Sequence, residues 1–141
     1  MGARIYSGDV EQLEGHEPFS DGECVALVQA VTSVGLTAGW RPGPRVVDLS
    51  YLNPGTVIAN FLDGRFPNRR RYHAAMFMEF GPRGMSSGRP STIKVMDQFT
   101  GRHPRNMVKS RDIYARGDKT YKQGNPYADC DNADQYYVVI V

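Results

Sequence analysis

Long apolar runs are missing from this sequence. The longest, around Cys24–Val31 and Tyr136–Val141, fall far short of the ~20 residues that span a bilayer, so no membrane-spanning segment is expected. The opening Met1-Gly2-Ala3-Arg4-Ile5-Tyr6 shows neither the apolar stretch of a secretory signal nor, with Tyr at position 6, a myristoylation pattern. Cysteine is scarce: Cys24 and Cys130 are the two in 141 residues, which excludes a disulfide framework. His16, His73 and His103 are scattered and lack Cys or acidic partners at ligand spacing, so neither a metal nor another cofactor is expected. Charge of one sign is also lacking. A net charge of +2 does not mark a polyanion-binding protein. With no internal repeat, low-complexity tract or dividing linker, one domain over residues 1–141 is expected.

What the chain has in quantity is glycine (15) and proline (9), spread along its length, which predicts many turns and short strands rather than a bundle of long helices. Residues 1–20 read as polar and irregular. Ser20-Asp21-Gly22-Glu23 then supplies helix-starting residues, and Val25, Val28 and Val31 at helical spacing predict a helix from Cys24, with Gly35 as its stop. Gly39–Pro44 reads as a turn. Strands are predicted at Thr56–Phe61, His73–Phe80, Thr92–Phe99, Arg111–Tyr114 and Tyr136–Val141. The expected order is one helix followed by an antiparallel meander.

A cysteine at the head of an apolar helix is, by itself, an ordinary small buried residue. Its place at the helix N-terminus adds meaning, because a thiolate there faces unpartnered backbone N–H groups and the positive end of the helix dipole. His73 opens the second strand, and a helix packed on the first strands can bring that position beside Cys24. Asp97 and Gln98 on the next strand are the candidates to hold the imidazole. Alternation allows only one of them to face it, and a carboxylate, which also stabilises imidazolium, favours Asp97.

Four segments carry a family likeness: Gly22-Glu23-Cys24-Val25, Pro54-Gly55-Thr56-Val57-Ile58-Ala59, His73-Ala74-Ala75 and Val95-Met96-Asp97-Gln98. In order and spacing they resemble the NlpC and CHAP superfamily of papain-like amidases. Within it they are most similar to the peptidoglycan amidase effectors of type VI secretion, especially the second family and its relatives. The resemblance implies an α+β papain-like fold, with an N-terminal helix carrying Cys24 packed on a small antiparallel sheet or half-barrel of five to six strands. It implies a cysteine peptidase with Cys24, His73 and Asp97 as catalytic residues, acting on peptidoglycan stem peptides, with the D-alanine to meso-diaminopimelate crosslink as the bond cut. It also implies synthesis in the cytoplasm without a signal peptide, delivery into a rival's periplasm, and a cognate immunity protein. A monomer is the default. One departure is Pro18, which stands where papain carries its oxyanion-hole Gln.

Arg69-Arg70-Arg71 precedes His73 and, if not merely a solvated turn, forms a basic rim for stem carboxylates, with Arg71, Tyr72 and Trp40 as substrate-binding candidates. His103 is the alternative base. In the active protein Cys130 is expected to be unbonded to Cys24, since a bridge would mask the nucleophile. The competing readings are a nucleic-acid-binding module, motivated by the same arginines and by basic residues between Arg102 and Lys122, and a papain-like fold without hydrolase activity, serving as a binding protein or acting as an acyltransferase.

Overall fold

The computed structural model describes residues 2–103 and 105–141. Helix α1 spans Cys24–Val31. The chain turns into it through Gly22, whose φ of +83° suits glycine, and through the Asp21 carboxylate, which accepts the Glu23 N–H at 2.9 Å. It stops short of the expected Gly35. The Thr32 hydroxyl donates to the Val28 carbonyl at 2.6 Å, and Thr32 itself is extended; this local bond competes with another helical turn. Eight residues are too few to hold a helix in water. Packing supplies the stability, as Leu27 and Val28 are fully buried and the helix lies against the sheet.

Among the described residues the sheet has six antiparallel strands: β1 (Arg41–Arg45), β2 (Val57–Ala59), β3 (Ala74–Phe80), β4 (Thr92–Asp97), β5 (Lys109–Tyr114) and β6 (Tyr137–Ile140). Their order across it is β1-β6-β2-β3-β4-β5. The run β2 to β5 is the expected meander, but two features correct the sequence reading. First, Arg-Pro-Gly-Pro-Arg forms a strand, not a free turn. It can do so because β1 lies at an edge, where a proline without an N–H breaks no interior ladder. A Cβ on Gly43 would stand 2.6 Å from the Ile140 side chain, so the missing side chain permits the close pairing with β6. Second, β6 inserts between β1 and β2 instead of following β5. Val138 and Val139 face opposite sides and are both buried, which an interior position allows. Residues 1–20 are less irregular than expected, since Ala3 bridges Ile140, Ile5 bridges Thr56, and Val10–Leu13 forms a 3-10 turn.

Both faces of the sheet are covered. Val57, Ala59, Ala74, Met76, Met96 and Val139 pack with Leu27 and Val28 of the helix. Ile58, Ala75, Phe77, Val95 and Val138 pack with Val46, Val47, Ala133 and Tyr136 on the other side. The site follows from this alternation. Asp97, the last residue of β4, shares a face with Val95, and His73, just before β3, shares it with Ala75 and Phe77. Gln98 turns toward the helix.

Candidate active site

Asp97 is fully buried and is the hub of the site. Its Oδ2 accepts from His73 Nε2 at 2.7 Å and from Arg111 Nε at 2.8 Å. Its Oδ1 accepts from Arg102 Nη2 at 2.6 Å. Arg102 also donates to the carbonyls of Asp97, Met107 and Lys109, tying the connection between β4 and β5 to the same point. Burial alone would raise the carboxyl pKa. The His73 hydrogen bond, with the charges of His73, Arg111 and Arg102, more than reverses this and brings it down to about 2.

His73 is held by its backbone as well as its ring. Its N–H donates to Asn60 Oδ1 at 3.0 Å, and the Asn60 N–H donates back to the His73 carbonyl at 3.0 Å. Asn60 is in turn anchored through its side-chain amide to the carbonyls of Asp129 and Gln135. With Nε2 on Asp97, Nδ1 is the ring nitrogen left over, and the Cys24 side chain lies close enough to raise the ring's pKa. Burial of the ring disfavours its charged form, but the bonds to Asp97 and Cys24 and the charges of both raise its pKa from the ordinary 6.5 to about 9. Near neutral pH His73 therefore carries two protons, one on Nε2 shared with Asp97 and one on Nδ1.

Gln98 acts on the opposite face. Its amide accepts the Phe19 N–H at 2.8 Å and donates to the Phe19 and Glu23 carbonyls at 2.9 and 2.8 Å. Adjacent residues of one strand thus play separate parts, with Asp97 orienting the imidazole and Gln98 fastening the chain that leads into Cys24.

Cys24 and His73 open onto a cleft of about 440 Å³. Arg69, Arg70, Arg71 and Tyr72 form one wall, with Phe99, Thr100 and Arg111 also lining it. Arg71 adopts φ +75° two residues before the histidine, and its guanidinium lies 4.4 Å from the Tyr121 ring. Trp40, a substrate-binding candidate from sequence, is not in the cleft. It is fully buried in the helix-side core, tilted against Phe66, with its indole N–H donated to the Gly35 carbonyl at 3.1 Å. An indole sealed in this way cannot touch substrate. Trp40→Ala is accordingly expected to lower stability by about 3–5 kcal/mol while leaving KM unchanged at temperatures where the variant is folded, as denaturant titration and steady-state kinetics would show. His103 is exposed and does not line the cleft.

Cys130 does line it, and both thiols are free. Burial, with the Asp131 charge, pushes the Cys130 thiol up to about 11, which keeps it protonated and unreactive. Among the described residues, no three His, Cys, Asp or Glu side chains gather as a metal site requires.

The titration of His73 predicts a rate profile. If its proton is delivered to a leaving amine, kcat/KM falls on the alkaline side with a midpoint near 9. Removing the carboxylate with Asp97→Asn takes away a cause of the upward shift, so the midpoint moves toward lower pH. Hydrolysis rates measured across the alkaline range test this, and a limb that Asp97→Asn does not move would exclude the coupling.

Asn60, Arg102 and Arg111 were not singled out from sequence. Asn60 carries a trace, as a polar residue ending an apolar strand. The arginines carry none for this site: they enter the sequence reading only within the basic stretch from Arg102 to Lys122, and arginine in a polar loop or on an edge strand is ordinary.

Residues 3–139 match the family model described as domesticated amidase effector 2. A similar protein is the type VI secretion amidase effector 2 protein of Salmonella typhi, 32% identical over 138 residues, which cover 93% of this chain and 90% of the relative. Among solved structures, one titled type 6 secretion amidase effector 2 superposes with a TM-score of 0.79 at 28% identity, covering 97% of this chain and 94% of that one.

Proposed function

The chain belongs to the domesticated amidase effector 2 family, and from that membership we propose that it is a cysteine amidase that hydrolyses peptide bonds of bacterial peptidoglycan, acting as a single domain. The observation that carries the catalytic assignment is the buried His73–Asp97 pair, with Cys24, at the start of α1, lining the same cleft and raising the pKa of the imidazole.

In this reading the Cys24 sulfur attacks the amide carbonyl carbon as a thiolate paired with the His73 imidazolium, and the carbonyl electron pair moves onto oxygen. The Cys24 backbone N–H, at the head of the helix and without an intrahelical acceptor, is the natural donor to that oxyanion. Collapse expels the amine, which takes the proton from His73 Nδ1. His73, now neutral, removes a proton from water. The resulting hydroxide attacks the thioester, the C–S bond breaks, and the thiolate–imidazolium pair is restored. Asp97 keeps its hydrogen bond to Nε2 throughout, so the ring changes charge without changing orientation.

The substrate proposed is the crosslink between D-alanine and meso-diaminopimelate, whose stems carry carboxylates that the Arg69–Arg71 wall attracts before docking. Delivery into a rival's periplasm and a cognate immunity protein that plugs the cleft complete the proposal. Mass spectrometry of fragments released from purified crosslinked sacculi tests it. Native protein should convert crosslinked dimers to monomers, and Cys24→Ala and His73→Ala should not. Cleavage within a stem instead would move the assignment to the γ-D-glutamyl bond. Intact sacculi with folded, reduced native protein would replace the amidase by a binding protein.

A further inference from the structure

The two edges of the sheet are built differently. β1 carries Pro42 and Pro44, which blunt it against pairing with another chain. β5, the opposite edge, has no proline and lies beside the cleft. Its start is covered by the chain itself: Val108, just before the strand, exchanges backbone bonds with Gly15 and His16, and the Ser110 N–H donates to the Glu14 carboxylate at 3.1 Å. Ser110 therefore turns its backbone outward. Ala115, in the other phase, donates to Ser91, the residue preceding β4. In an antiparallel ladder a residue directs its N–H and C=O to the same side, alternating along the strand. Asp112 and Tyr114 consequently turn theirs outward like Ser110.

Those two residues open onto a groove of about 240 Å³, with Arg116, Tyr127 and Asp131 also lining it. Tyr114 and Tyr127 are 54% and 43% exposed, large for tyrosines flanking a groove. The Arg116 guanidinium lies 4.2 Å from the Tyr127 ring and 5.3 Å from that of Tyr114, within cation–π range of both. The groove borders the catalytic cleft: Arg111 and Asp131, whose side chains approach to 3.9 Å, line both.

We infer that this groove is a substrate subsite in which an extended arm of the stem peptide, leading away from the scissile bond, pairs with the open edge of β5 at Asp112 and Tyr114 and lies against Tyr127. The inference rests on the peptide-cleaving reading above and adds where the rest of the substrate goes. Backbone pairing on a free strand edge is a mode suited to a short peptide, because it uses groups every residue carries. Asp112 and Arg116 at the same groove match the mixed amine and carboxylate charge of such a stem.

Hydrogen–deuterium exchange resolved to single amides, on the Cys24→Ala protein with and without purified crosslinked stem-peptide dimers freed of sugar, tests the inference. Exchange at Asp112 and Tyr114 should slow by about tenfold or more on saturation, and Tyr127→Ala in the otherwise native enzyme should raise KM for the dimers with kcat unchanged. Protection around Cys24 and His73 with none at Asp112 and Tyr114 would overturn the groove assignment and leave the amidase reading intact. Protection at the edge only when the disaccharide is attached would overturn it in favour of a glycan occupant. No protection in cleft or groove would overturn the proposed substrate, and the inference with it.

Discussion

Asp97→Ala is expected to reduce turnover by roughly 10³ to 10⁴-fold and native stability by about 3–5 kcal/mol. The two effects share a cause. The carboxylate is fully buried and accepts hydrogen bonds from His73, Arg102 and Arg111. Its removal leaves guanidinium groups gathered around a cavity without their counter-charge, and breaking a buried pair from one side costs far more than the pair contributes net. Catalytically, the imidazole loses the acceptor that selects its tautomer. Asp97→Asn separates the two losses: it keeps the volume, so the fold should suffer less than in Asp97→Ala while turnover falls comparably. Denaturant titration beside steady-state kinetics reads both, and an Asp97→Asn enzyme with native turnover would remove Asp97 from the mechanism.

The same pair sets a pH window for stability. His73 has its pKa raised from 6.5 to about 9 in the fold, so its contribution is fully present below about pH 6.5 and is lost as pH rises through 9. Asp97 has its pKa lowered from 3.8 to about 2, so its contribution is present above about pH 3.8 and is lost as pH falls through 2. Both contributions are complete between those inner limits. Melting temperature should therefore plateau there and decline on either side, and Asp97→Ala should flatten the alkaline decline.

Cys24→Ala, His73→Ala and the double variant are expected to leave the same residual rate, each lowering hydrolysis by about 10⁴-fold or more. The nucleophile and its proton donor act as one unit in this proposal. Without the sulfur there is no thioester for His73 to serve. Without His73 the leaving amine has no positioned proton, and the Cys24 sulfur loses the cation beside it. Independent roles would instead make the losses multiply. Single-turnover rates on a soluble crosslinked dimer distinguish the cases, and a double variant much slower than either single variant would break the proposed unit apart. Cys130, in the same cleft but held protonated, should not rescue Cys24→Ala.

Helix α1 and strands β2 to β6 are legible in the sequence because each announces itself locally: apolar spacing and starting residues for the helix, β-branched or apolar runs between turns for most of the strands. Cys24, His73 and Asp97 could be chosen for the same reason, as they sit at the ends of those elements with side chains suited to acyl transfer. The strand at Arg41–Arg45 was not legible, since Arg-Pro-Gly-Pro-Arg carries turn chemistry and becomes a strand only because β6 lies beside it. Trp40 stands as a candidate for the cleft wall although aromatics more often serve the core, and the core is where it lies.

By itself, then, the sequence determined the types of the main elements and the residue types at their ends, which are properties of short windows in which spacing and side-chain chemistry suffice. Only the tertiary structure decided where β6 inserts, that Asp97 faces His73 while Gln98 faces the helix, and that Arg102, Arg111 and Asn60 converge on the pair. Those facts depend on register and on contacts between residues distant in the chain, such as Asn60 with Gln135 and Gln98 with Phe19. No local pattern encodes them, because the partner that gives each residue its role lies on another strand.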